Sequence, residues 1–328
     1  MSCSTESSPT VPNNQSLVKP DFFIVGAAKA GTTSLYHYLA SHPDVYMSPV
    51  KEPHFFATDI VMENLGEKVK RDLKQQDTEK FISDGMQGTL HRAYIRDREL
   101  YQKLFANAQA AKITGEASPS YLYSATAATA IFAYNPAAKI IIILRNPAER
   151  AYSHYLMDRR IGFTNDGFAT ALNKDGQSPY KTWGASSNYI ELGMYYEQVK
   201  RYFEIFPKNQ IFVLLQEDLK KDPLVMMKAL FRFLVISEQH LPNFSKKHNE
   251  AVVPRYPFVS RILESKIYSW IGASMKNNPM KQQIKKIFFK EPDYEMKDNE
   301  VIRKLKLLYQ HDIEKLSVLL NRDLSLWK

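Results

Sequence analysis

The chain has 328 residues, of which 44% are hydrophobic and 24% charged, with a formal net charge of +9 and one cysteine, Cys3. This is an ordinary globular composition in a chain long enough to bury a large core without covalent staples, and a lone cysteine excludes an intrachain disulfide and a cysteine metal cluster. No apolar run reaches the roughly 18 residues of a membrane span, and Met1 to Leu17 lacks the basic and apolar regions of a signal peptide, so a cytoplasmic protein is expected, whose basic balance favours an anionic partner.

Residues 1–18, rich in Ser, Thr, Pro and Asn, are expected to form a disordered tail. Residues 19–328 are expected to form a single domain, because no repeat or long linker interrupts them. Phe22–Val25 reads as a buried strand. It runs into Gly26-Ala27-Ala28-Lys29-Ala30-Gly31-Thr32-Thr33 and then a helix over Thr32–Ala40 that places Leu35, Tyr38 and Leu39 on one face. The glycines allow a tight turn and a close approach of backbone to ligand. The free N–H groups and positive end of the helix then face an anion. The glycine spacing is that of the nucleoside-triphosphate loop, in which a lysine follows the second glycine and the next hydroxyl holds Mg²⁺. Here Thr32 stands where that lysine belongs, and Lys29 lies inside the loop. This argues against an NTPase.

Lys51-Glu52-Pro53-His54-Phe55-Phe56 comes next. Proline bars the α region to its predecessor, so Glu52 is expected to be extended. Its carboxylate is placed either to act on a ligand or to pair with Lys51 or Lys29. Phe55 and Phe56 are expected in the core. Residues 57–110 carry aromatics such as Tyr94 and Tyr101 but no readable motif. Lys112–Gly115 is a weak strand, after which Glu116 and Ser118 are candidates for lining a cleft.

Lys139–Leu144 is the clearest strand. Its continuous run of isoleucines suits a strand covered on both faces. Arg145 stands at its carboxyl end, followed by Asn146 as a cap and Pro147 as the first residue of a helix over Pro147–Arg160. The planar fork of Arg145 suits a phosphate, and Ser153, about two turns along, is placed to contact the same anion. Arg150 is expected to pair with Glu149 or solvent, and His154 to be a packed or solvated helix residue rather than a base. Residues 160–190, with Phe163, Tyr180, Trp183 and Tyr189, again hold no motif. Gly193–Phe206, Pro223–Leu234, Val259–Trp270 and Asn299–Leu320 read as helices, Ile211–Leu215 as a strand, and Lys281–Lys290 as a helix packed by its apolar side. Strands alternating with helices predict an α/β fold, a P-loop-like central parallel sheet flanked by helices on both faces. The loops after its strands then lie along one binding edge.

Two strand–anion-loop–helix units in one sheet resemble the PAPS-dependent sulfotransferases (PAPS is 3'-phosphoadenosine-5'-phosphosulfate), closest to the bacterial and heparan-type branch. Pro20 to Leu35 resembles the family's 5'-phosphosulfate loop, and Leu144-Arg145-Asn146-Pro147 through Ser153 its 3'-phosphate motif. Leu192 to Tyr195, Glu217-Asp218-Leu219 and Arg322 to Trp327 are similar to later family segments. The resemblance implies that Lys29 contacts the bridging oxygen of the leaving phosphate. It implies that Ala30, Gly31, Thr32, Thr33 and Ser34 hold the 5'-phosphate, and Arg145 and Ser153 the 3'-phosphate. Lys247 and Arg255 would belong to a late loop closing over the nucleotide. Glu52 stands where the heparan-type branch has its catalytic carboxylate. His54 is the rival, because cytosolic small-molecule sulfotransferases use histidine. The implied reaction moves a sulfuryl group from PAPS to a hydroxyl or amine of a small metabolite or carbohydrate, giving PAP, with no metal, nucleic acid or membrane span expected. A P-loop kinase or NTPase, and a non-catalytic module binding nucleic acid or another polyanion, are the alternatives.

Overall fold

In a computed structural model, residues 18–108, 110–178, 182–184, 186–245 and 300–328 are described with their side chains, and residues 253–254 and 289–290 by backbone alone. The chain runs β1 (Phe22–Gly26), α1 (Thr32–Ala40), β2 (Val45–Met47), β3 (Val50–Lys51), α2 (Glu67–Lys74), α3 (Thr78–Ser83), β4 (Leu90–His91), α4 (Arg98–Lys103), β5 (Ile113–Ala117), α5 (Ser120–Tyr123) and α6 (Ala127–Tyr134). It continues through β6 (Lys139–Leu144), α7 (Pro147–Arg160), α8 (Phe168–Gly176), α9 (Tyr195–Ile205), β7 (Ile211–Leu215), α10 (Gln216–Lys221) and α11 (Pro223–Leu234) to a last helix, α12 (Glu300–Leu320).

Five strands form one parallel sheet in the order β2-β5-β1-β6-β7. All of β1, and β6 from Ile140 to Leu144, are buried. This is why both read as unbroken apolar runs rather than alternating ones. From β1 the chain crosses to one side of the sheet for β2 and β5, then to the other for β6 and β7. The carboxyl end of β1 is therefore a topological switch point, where such sheets bind ligands. Asn146 caps α7 by accepting from the amides of Ala148 (3.0 Å) and Glu149 (3.3 Å), and Pro147 opens the helix.

The structure departs from expectation in several elements. The weak strand lies over Ile113–Ala117 rather than Lys112–Gly115. β2, unseen in the sequence, is a three-residue edge strand paired with β5. Its side chains alternate only over Val45, Tyr46 and Met47, too few to show a period. Phe289–Lys290 pairs antiparallel with Val253–Pro254, so the end of the run expected to be helical is extended. Residues 1–17, the helix expected over Val259–Trp270, and Lys247 and Arg255 lie outside the described residues.

Candidate active site

The first candidate anion cradle is the turn between β1 and α1. Gly31 has φ 113° and would bring a Cβ within 3.3 Å of Ile143 Cδ1, so glycine serves both the left-handed turn and the close packing. α1 has no side-chain cap. Its first intrahelical bond runs from the Leu35 amide to the Gly31 carbonyl at 3.1 Å. The amides of Thr32, Thr33 and Ser34 are thus left pointing out of the helix start, the donor set an anion needs. Gln216 braces the loop by donating to the Ala30 carbonyl at 2.9 Å.

The second cradle abuts the first. The Ala27 amide donates to the Ile143 carbonyl at 2.6 Å, and Arg145 Nη1 reaches the Lys29 carbonyl at 3.4 Å. Arg145 also donates through Nε and Nη2 to Glu149 Oε2 at 3.3 and 3.1 Å. Its backbone carbonyl accepts from the Tyr195 hydroxyl at 3.0 Å, and Ser153 lies half-buried on α7. Arg150 does not pair with Glu149 or solvent as expected. It is fully buried and donates to the Tyr189 carbonyl, because position 150 falls on the face of α7 that meets Tyr189 and Tyr309. His154 packs against the Tyr189 ring.

Lys29 stands between the cradles and a set of titratable groups. Its Nζ lies 3.4 Å from Met157 Sδ. Burial, then the Arg160 and Arg145 charges, bring its pKa down to about 8, while the Asp158 and Glu52 carboxylates hold it up.

Glu52 and His54 lie on the segment after β3. Both have left-handed backbones, φ 65° and 52°, so Glu52 is not extended as its proline neighbour predicts. Tertiary bonds impose the departure: the Glu52 amide donates to the Ala117 carbonyl at 2.9 Å, and the Ala93 and Ile95 amides donate to the Glu52 and Pro53 carbonyls at 2.9 and 3.0 Å. Each left-handed residue of this kind costs about 1–2 kcal/mol, a strain concentrated where the side chains carry chemistry.

The Glu52 carboxylate pairs with the buried Lys51 ammonium, as one sequence reading had it. Its Oε1 lies 3.6 Å from His91 Nε2, and its Oε2 4.0 Å from His54 Nε2. Burial alone would push this carboxyl up. The Lys51 charge, with His91 and His54, pulls the other way and brings it to about 2, so Glu52 is an anion at neutral pH. His54 is fully buried, and burial lowers its pKa to about 3. Its Nδ1 meets Ser120 Oγ at 2.6 Å, its ring stacks on Tyr94 with centroids 4.5 Å apart, and Trp183 lies 5.9 Å away. An incoming hydroxyl reaches the partly exposed Glu52 more readily than the enclosed His54.

His91, Tyr94, Ser120 and Trp183 join this site with no local motif to announce them. Tyr101 and Tyr189 are core residues, and Tyr180 lies outside the described residues. Phe55 and Phe56 pack as expected, Phe55 stacked on Tyr101 at 4.0 Å.

Glu116 and Ser118 do not line a cleft. Both are fully buried. Glu116 accepts from Tyr101 (2.6 Å), Ser118 (2.7 Å) and Tyr121 (3.2 Å), because β5 is covered on both faces to its end. Burial raises this carboxyl from 4.5 to about 7 against the pull of the three hydroxyls. The folded protein therefore holds the proton more tightly than the open chain. The stability tied to it is full below about pH 4.5 and is lost as pH rises through about 7, roughly 3 kcal/mol in all. Glu116→Gln should flatten the fall in urea midpoint between pH 5 and 8, relative to the parent. An unchanged slope would assign that pH dependence to other groups.

Residues 19–306 match the sulfotransferase domain family. The human heparan sulfate glucosamine 3-O-sulfotransferase 6 is 26% identical over 226 residues, 67% of this chain and 55% of that protein. Mouse carbohydrate sulfotransferase 15 is 26% identical over 291 residues, 74% of this chain and 50% of that protein. The chain thus spans about half the length of these curated relatives. A crystal structure of a sulfotransferase from Alicyclobacillus acidocaldarius superposes with a TM-score of 0.67 at 27% identity, covering 94% of this chain and 99% of that one.

Proposed function

Because the chain belongs to the sulfotransferase domain family, we propose that it transfers a sulfuryl group from PAPS to a hydroxyl or amine of a small metabolite or carbohydrate, with Glu52 as the base. One observation carries the reading. Two anion cradles on neighbouring strands touch, Arg145 Nη1 to the Lys29 carbonyl, with a carboxylate on the adjoining loop. A nucleotide with phosphate at both ends of its ribose suits that pair of cradles, whereas a nucleoside triphosphate offers Arg145 no phosphate beside its Glu149 partner. The donor set fits: uncapped amides and Lys29 for the 5' end, Arg145 and Ser153 for the 3' end.

PAPS supplies a sulfuryl group already bonded to a phosphate that leaves with the electron pair. Glu52, ionised and partly exposed, takes the proton of the acceptor O–H or N–H as that group attacks sulfur. Lys29 and the amides of α1 meet the negative charge growing on the departing phosphate oxygen. The aromatic wall of Tyr94 and Trp183 beside His54 supports an acceptor with a flat or sugar-like face, as do the two relatives named for carbohydrate acceptors.

Titration calorimetry tests the donor. PAP should bind with measurable heat and Mg-ATP should not. Arg145→Ala should weaken PAP by roughly 10- to 100-fold, the worth of one or two charge-assisted hydrogen bonds. Uptake of Mg-ATP with no response to PAP would refute the reading in favour of a kinase or NTPase. The acceptor is found by incubating the protein with ³⁵S-labelled PAPS and an extract of its source, then identifying the labelled product.

A further inference from the structure

The segment carrying Glu52 and His54 is held from the solvent side by one guanidinium. Arg96 Nη1 donates to the His54 carbonyl at 2.6 Å, and more weakly to that of its neighbour Ile95 at 3.4 Å. Its Nη2 donates to the Ala57 carbonyl at 3.1 Å and the Ile60 carbonyl at 3.0 Å. Three carbonyls of the segment, from residues 54, 57 and 60, thus converge on one planar fork.

The bonds fall where the backbone needs restraint. Glu52 and His54 are both left-handed, on either side of Pro53. Such conformations persist only where the surroundings over-determine them. The Glu52 and Pro53 carbonyls are held by the amides of Ala93 and Ile95. The restraint on the next carbonyl, that of His54, comes from the Arg96 side chain. His54 in turn faces Glu52 across 4.0 Å, so its backbone setting fixes one wall of the carboxylate's surroundings. Arg96 is an exposed residue, so its removal opens no apolar cavity, although it frees the carbonyls of the buried His54, Ala57 and Ile60. A lysine, with a single point charge, cannot span the three acceptors.

We propose that Arg96 is a positioning residue for sulfuryl transfer, clamping the strained segment so that Glu52 faces the acceptor with His54 packed behind it. The proposal rests on the sulfotransferase reading above. It predicts a defect in rate rather than in donor binding, because the cradles are built on other loops.

The test compares the parent with Arg96→Ala and Arg96→Lys in three measurements: ³⁵S transfer from labelled PAPS into serial dilutions of source extract, PAP affinity by calorimetry, and amide hydrogen exchange. Arg96→Ala should lose about 100-fold in maximal transfer rate, the cost of a misplacement of about 1 Å. The extract dilution giving half-maximal rate and the PAP affinity should be unchanged, and Arg96→Lys should recover little. Exchange should quicken only in peptides covering residues 52–60 and in the Ala93 and Ile95 amides that donate to that segment. Guanidinium chloride at tens of millimolar should restore rate to Arg96→Ala and leave the parent unaffected. An unchanged rate, a parallel loss of PAP affinity, or an absence of guanidinium rescue in a PAP-binding variant would each overturn the proposal. A parent protein that takes up no PAP would instead overturn the sulfotransferase reading, and this proposal with it.

Discussion

Glu52→Gln is expected to lower sulfuryl transfer by about 10²-fold, the low end for a positioned general base because Lys51 holds its carboxyl at about 2, and to leave PAP affinity nearly intact. Glutamine keeps the shape of the side chain but cannot take a proton. The donor cradles lie on the turns after β1 and β6 rather than on this segment, so the nucleotide keeps its contacts. The change also leaves the buried Lys51 ammonium without its counter-ion. A stability loss of about 3–5 kcal/mol should accompany it. Denaturant titration measures that loss separately, and PAP calorimetry shows whether the folded state survives at the assay temperature. A fully active Glu52→Gln protein would defeat the assignment and move attention to His54. The structure argues against that histidine as the first base because its ring is enclosed, with Nδ1 engaged by Ser120 and Nε2 shielded from solvent.

Lys29→Ala should cost about 10²–10³-fold in kcat, comparable to removing one preorganised donor from a developing negative charge. PAPS binding should weaken as well, since in the proposed reaction the ammonium faces the phosphosulfate. The sign of the pH dependence follows from the pKa. Burial, then Arg160, bring Lys29 down to about 8, and the charged form is the useful one. Thus kcat/KM for PAPS should be level through neutrality and fall above about pH 8. Lys29→Arg keeps the charge at every accessible pH, so whatever activity it retains should show no such fall. A limb that survives in Lys29→Arg would belong to another group.

The two strand–turn–helix units proposed as cradles were legible in the sequence because their signals are local. Gly26 and Gly31, the cap Asn146, Pro147 at the helix start and the isoleucines of β6 each act on a backbone within a few positions. Where chemistry depends on neighbours through space, the same reading failed. Pro53 predicts an extended Glu52, and the bonds to Ala117, Ala93 and Ile95 override it. Arg150 looks like a solvent-facing partner for Glu149, yet it is buried beneath Tyr189. Glu116 follows a strand as a cleft residue would, but three hydroxyls enclose it in the core.

The sequence by itself thus determined a parallel α/β sheet and the two strand–turn–helix units at its edge, since glycine, proline and β-branched residues constrain their own backbone whatever surrounds them. Only the tertiary structure decided the state of the groups at that edge. Lys51 meets His91 from 40 positions away and His54 meets Ser120 from 66 positions away. The charge of Glu52, the neutrality of His54 and the lowered pKa of Lys29 are set by burial and Coulomb forces. Both depend on distance in space, which separation along the chain does not fix.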